Sequence, residues 1–200
     1  TIVDPYSGHY RLSPAWSNNR VIGCPQTVTS WATQCRKWLP DPIGGVLWVG
    51  LSAAVSGPHV PFYACNKRTP RAYQIGTAGD TSGYEEDSAY WLFENIGNLH
   101  NLFYQGTYDL VRPVWEAFEE KLYASQEGVE DGAMRLYELD KDAEVAEFLT
   151  AYSNGVALQA LEEGKKMLGK LFTRLALVNN PMTTRGYEDP RDWKDVSVLY

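Results

Sequence analysis

The chain has 200 residues, 44% hydrophobic and 22% charged, with a net charge of −7. That is enough chain for one domain with a sizeable core, or for a portion of a larger domain. An acidic balance without a basic stripe predicts no nucleic-acid partner and no anionic membrane partner, and no apolar run reaches spanning length.

Aromatic residues make up 13%, including seven Trp and thirteen Tyr. Such content suits a large packed core or a subunit interface. The cysteines are Cys24, Cys35 and Cys65. An odd count without paired spacing is a poor disulfide framework, so buried, reduced thiols in a reducing compartment fit best. His9, His59 and His100 are scattered and no CxxC pair occurs, so no metal and no cofactor is expected.

Residues 1–19 hold Pro, Ser, Gly and Asn without a periodic apolar face and read as an irregular lead-in. Residues 20–76 read as strands. From Arg20 to Arg36 the period is near two. Thr27, Thr29, Trp31, Thr33 and Cys35 fall on one face, and Val28, Ser30, Ala32, Gln34 and Arg36 on the other. Pro25 sits badly in a central strand, which starts the regular part after it. The LPDPIGG run from Leu39 to Gly45 predicts a turn, and VLWVGL the return strand of a hairpin. VPFYA predicts a short strand that Pro61 makes an edge or terminal piece, and RAYQIG predicts another short strand.

Residues 77–87 read as a loop, with Asp87 or Ser88 as the N-cap of a helix. Helices then occupy residues 88–174. The first spans Ser88 to Tyr104 and breaks at Gly106. A second starts near Tyr108 with Pro113 in its first turn, a short third spans Val129–Leu139, and the longest runs from about Asp142 to Arg174. Gly155 and Gly164 predict a kink or a close helix contact in the last. Residues 179–200 read as a surface tail.

Chemistry-bearing residues are sparse. A Cys paired with His59 or His100 is one nucleophile–base option, outweighed by the buried-thiol reading. The acidic pairs Glu85/Glu86, Glu119/Glu120 and Glu162/Glu163 lie on or beside helices and read as solvated faces. Gly44–Gly45 precedes a strand and not a helix, so it is no phosphate loop. A free Thr1 is a nucleophile option with its own amine as base, but the turn chemistry of DPYSG comes directly after it. Arg20 and Arg36 bracket the first strand, where a guanidinium can hold a carboxylate or stabilise an oxyanion.

The run SPAWSNNRVIGCPQTVTSWATQCRKWLPDPIGGVLWVGL, then VPFYA, then SAYWLFENIGNLHNLFY, resembles the C-terminal half of bacterial cysteine dipeptidases of the dipeptidase A type. These belong to the N-terminal-nucleophile hydrolase superfamily. The resemblance covers residues 1–175, and GYEDPRDW in the tail is more weakly similar. It implies an α+β fold, part of an αββα sandwich, with antiparallel strands in the first ~80 residues followed by a helical layer. It implies hydrolysis of dipeptides with broad side-chain tolerance, by a Cys at the mature N-terminus whose amine is the base. An Arg and an Asp come soon after that Cys in the family, with an Asn mid-chain and a further Arg later.

This chain begins with Thr1, and none of its cysteines stands in the family's nucleophile context. The resemblance therefore implies that the nucleophile belongs to an absent half and that the 200 residues alone are inactive. Arg20 matches the late Arg best, as an oxyanion or substrate contact, and Arg36 is second, as a substrate-binding residue. The expected partners are the missing half or a partner chain, a dipeptide substrate and further copies in a homo-oligomer. The alternative is a non-enzymatic α+β module that binds a partner through its aromatic surface.

Overall fold

The computed structural model describes residues 27–76 and 83–178. Arg20, Cys24, Thr1, His9, the lead-in and the tail lie outside these. The fold is α+β, with antiparallel strands first and helices after, as expected.

Three strands form one sheet in the order β1-β2-β3: β1 is Thr29–Cys35, β2 Gly45–Leu51 and β3 His59–Tyr63. Thr and Val at β-branched positions favour the extended backbone. The hairpin between β1 and β2 closes through one helical turn, α1 (Asp41–Gly44), in place of a plain turn. Pro40 and Pro42 explain it, since their fixed φ suits a first turn.

The register decides which residues share a face. Ser30 pairs with Gly50 and Gly50 with His59; Ala32, Trp48 and Pro61 form the next row; Gln34, Val46 and Tyr63 the third. This face meets the helices. The opposite face presents Thr29, Trp31, Thr33 and Cys35 beside Leu51, Val49 and Leu47. Among the described residues it is covered only toward β3, where Val60 is buried and the Phe62 ring meets Tyr73 at 5.8 Å. Elsewhere it is bare, with Trp31 67% and Leu47 39% exposed.

Segment RAYQIG is not a strand. Arg71–Tyr73 forms a 3₁₀ turn, started by Pro70, whose φ of −58° and missing N–H suit a turn start better than a strand ladder. Helix α2 is Ala89–Leu102, capped by Ser88, whose Oγ accepts from the Trp91 amide.

Helix α3 corrects three expectations. It runs unbroken over Tyr104–Tyr137, through Gly106 and with Pro113 in its interior, and it absorbs the separate helix expected at 129–139. The break falls instead at Phe103, whose φ/ψ of −142°/59° turns the chain between α2 and α3. Glycine in a helix costs about 1 kcal/mol and an interior proline about 3. Burial of Thr107, Val111, Trp115, Leu122, Glu130 and Ala133 along one stripe outweighs both.

Helix α4 spans Asp142–Val178 without interruption. Gly164 is a close helix contact: a Cβ there would lie 3.1 Å from Leu92 and 3.4 Å from Phe93 of α2. The core joins Ile43, Val46, Trp48, Val60 and Tyr63 of the sheet region to Phe93, Ile96, Trp115, Leu149 and Leu171 of the helices. Among the described residues no helix is long and apolar enough to cross a membrane.

Candidate functional site

Polar chemistry concentrates in the seam between the covered sheet face and α3. On α3, Trp115, Glu119, Leu122, Gln126, Glu130 and Ala133 recur at three- and four-residue steps, so they share one face. Two of them are carboxylates and one is an amide. Glu119 meets the sheet at the first row, and Gln126 and Glu130 meet it at the third.

At the first row, the Ser30 hydroxyl lies 2.9 Å from His59 Nε2, and His59 Nδ1 lies 2.9 Å from Glu119 Oε1. The same Glu119 oxygen accepts the His59 backbone amide at 2.8 Å. Burial acts to raise the Glu119 carboxyl, but the two bonds and the charge of His59 outweigh it and hold it below the usual range. An ionised Glu119 only accepts, so His59 Nδ1 donates to it, and Nε2 of a neutral ring is left to accept from the Ser30 hydroxyl. β1 and β3 are separated by a strand, and the ring bridges them over Gly50. A Cβ at Gly50 would lie 2.8 Å from Ser30 Oγ and 3.0 Å from the ring.

At the third row, Arg36 Nη1 donates to both oxygens of Glu130, at 2.6 and 2.7 Å. Its Nη2 donates to the Ile43 carbonyl and its Nε to the Gly44 carbonyl. The Tyr63 hydroxyl and Gln126 Nε2 also donate to Glu130 Oε1, at 3.0 and 2.9 Å. Gln126 and Trp48 Nε1 share Gln34 Oε1. Burial first, then the Glu130 carboxylate, push the Tyr63 phenol far up, so it stays a donor. This arrangement locks the hairpin end to α3. A cavity of about 390 Å³ opens beside it, lined by Arg36, Trp38, Tyr123, Gln126, Glu127 and Asp131 among others.

The described cysteines, Cys35 and Cys65, take no part in the seam. Cys35 is exposed on the bare sheet face, opposite Gly45. Cys65 is half-buried, and burial pushes its thiol up, away from nucleophilic use. His59 is spent on Ser30 and Glu119. His100 is buried between α2 and α3, with Nδ1 2.7 Å from Thr107 Oγ1. Thus no Cys–His pair forms among the described residues, and none of their His, Cys, Asp and Glu groups could hold a metal ion. Arg36 is placed at the seam; Arg20 lies outside the described residues.

Glu119, Ser30, Gln126 and Glu130 escaped the sequence. Glu119 read as part of a solvated pair, and only its neighbour Glu120 is exposed. Ser30 carried no motif. The alternation did put Ser30, Gln34 and Arg36 on one strand face, but the row that joins Ser30 to His59 comes from register alone.

The sequence model of peptidase family C69 matches residues 1–117. The chain belongs to peptidase family C69. The match takes in the whole sheet, α2 and the start of α3; Glu119 and Glu130 lie just beyond it. A "Probable dipeptidase" of Latilactobacillus sakei is 27% identical over 158 residues, which is 77% of this chain and 30% of that protein. A "Probable dipeptidase B" of Lactococcus lactis subsp. lactis is also 27% identical, over 76% of this chain and 30% of its own length. The chain therefore spans less than a third of the curated relatives it matches.

Proposed function

We propose that these residues form the part of a dipeptidase that supplies a three-stranded sheet and its helical cover, and that the nucleophile is a cysteine on polypeptide outside them. Membership of a peptidase family whose curated relatives are named probable dipeptidases carries the reading. Two features support it. The bare sheet face is a surface that a second sheet covers in an αββα sandwich, and contiguous exposed apolar surface of this kind marks an interface. Neither described cysteine has a base: Cys35 stands alone on that face and the Cys65 thiol is raised.

In this reading the partner is the rest of the same enzyme, the substrate is a dipeptide of loosely restricted side chains, and copies assemble into an oligomer. An N-terminal Cys would attack the scissile carbonyl with its own amine as base. Arg20 is assigned to the oxyanion or substrate carboxylate. Arg36, already committed to Glu130, acts on substrate only through its place at the cavity rim.

The 200 residues alone should release no amino acids from a panel of dipeptides. A longer polypeptide carrying them behind an N-terminal cysteine should do so, and should lose that activity on alkylation. Ordinary dipeptide turnover by the 200 residues, abolished by Cys35→Ala, would refute the assignment. Trp31 and Trp38, both strongly exposed, favour a second reading as a non-enzymatic binding module. Both chains staying inactive while one protein partner binds across Trp31 would support it.

A further inference from the structure

We propose that Ser30, His59 and Glu119 form an acyl-accepting serine site, distinct from the cysteine chemistry of the family, that takes small activated esters at the rim of β1. Three observations support the assignment. The hydrogen-bond chain is continuous, 2.9 Å from Ser30 Oγ to Nε2 and 2.9 Å from Nδ1 to Glu119 Oε1. The ring is fixed in that orientation, because the oxygen that takes Nδ1–H also holds the His59 backbone amide. Glycine at position 50 leaves the space through which the imidazole reaches a hydroxyl two strands away. These are the roles of nucleophile, base and orienting acid.

Access favours the same assignment. Ser30 shares its face with Val28 and Ala32, both exposed, so α3 covers the β2–β3 side of this face and leaves the β1 rim open. A small ester can approach Oγ from that rim while His59 and Glu119 remain screened behind it, at 21% and 18% side-chain exposure. The step balances without a further reagent. Ser30 Oγ bonds to the acyl carbon, its proton passes to His59 Nε2, and Glu119 stabilises the imidazolium. The carbon–oxygen bond to the leaving group then breaks, and that group departs with the proton from Nε2. Water, deprotonated by the same nitrogen, then bonds to the acyl carbon; the Oγ–acyl bond breaks, Nε2 returns the proton to Ser30 Oγ and the acid leaves.

The 200-residue chain tests this with diisopropyl fluorophosphate, read by intact mass and peptide mapping. There the Oγ–P bond forms, the P–F bond breaks and the proton leaves with fluoride. One adduct is expected, on Ser30, forming at least ~100-fold faster than in the chain unfolded in urea, and about 100-fold slower in His59→Gln. Labelling of Ser30 at the unfolded rate, labelling elsewhere only, or indifference to His59→Gln would overturn the proposal. Ser30→Cys guards against a His59 variant that fails to fold. Its thiol should react with iodoacetamide at pH 7 at least ~10-fold faster than Cys35, which lies further along the same strand and remote from the imidazole. Equal rates would overturn the proposal. Dipeptide hydrolysis does not enter either readout, so failure here leaves the peptidase reading standing.

Discussion

The two faces of one small sheet have been built to opposite specifications. The face toward the helices closes its polar groups against partners: Glu130 alone accepts from Arg36, Tyr63 and Gln126. The other face offers Trp31, Leu47 and Cys35, all exposed, with no described helix against them. A face with satisfied polar groups specifies one register and one helix position, because any slip leaves a buried charge unpaired. A face of bare apolar and small residues specifies little by itself and gains its meaning from whatever covers it.

The largest contrast comes from substitutions on the covered side. Trp115→Ala should cost about 3–5 kcal/mol of unfolding free energy, measured by urea denaturation, because it empties a buried ring site and leaves the Ser56 carbonyl without its indole donor. Glu130→Ala should cost a similar ~3–5 kcal/mol by stranding Arg36 and the Tyr63 hydroxyl. A loss under about 1 kcal/mol in either would show that the seam is not what holds α3 to the sheet.

Next comes pH. Burial pushes His100 down to about 4, against 6.5 in the unfolded chain. The unfolded state therefore binds more protons between those values, and stability is full above about pH 6.5 and falls as pH drops toward 4. Glu119, held below its usual value, adds to the loss only below about pH 4.5. His100→Gln should flatten the upper part of this slope in thermal melts across about pH 4–7. A melting temperature independent of pH across that range in the parent chain would contradict the burial of a neutral ring.

Smaller still, Ser88→Ala should cost about 1 kcal/mol through the lost cap of α2 and the lost donor to the Ile75 carbonyl. Smallest is Trp31→Thr on the bare face. It should change the stability of the isolated chain by under about 0.5 kcal/mol, while reducing its self-association in sedimentation. If Trp31→Thr destabilised as much as Trp115→Ala, the two faces would not differ as described.

Legibility in the sequence divides along the same line. Strand alternation put Trp31, Thr33 and Cys35 on one side and Ser30, Gln34 and Arg36 on the other before any pairing was known. The family could be read from T-x-W-x-x-Q-x-R and I-G-G-V-L-W because those runs are local. The helix breaks were misplaced because Gly106 and Pro113 act through local propensity, whereas α3 is held by distant partners: Gln34 grips it at Gln126, and Arg36 and Tyr63 grip it at Glu130. The Ser30–His59–Glu119 row was hidden for the same reason. Its members lie 29 and 60 residues apart, and only register and helix docking bring them together.

Cys35 gives the most direct measurement of the central claim, because it sits on the bare face and reports on cover without mutation. Its reaction with a thiol reagent should be as fast in the 200-residue chain as in a free peptide. In a longer polypeptide carrying the cysteine-bearing portion we propose, it should slow by at least ~10-fold as a second sheet packs over it. Equal rates in the two proteins would mean that this face stays open, and the two-sheet account would be wrong.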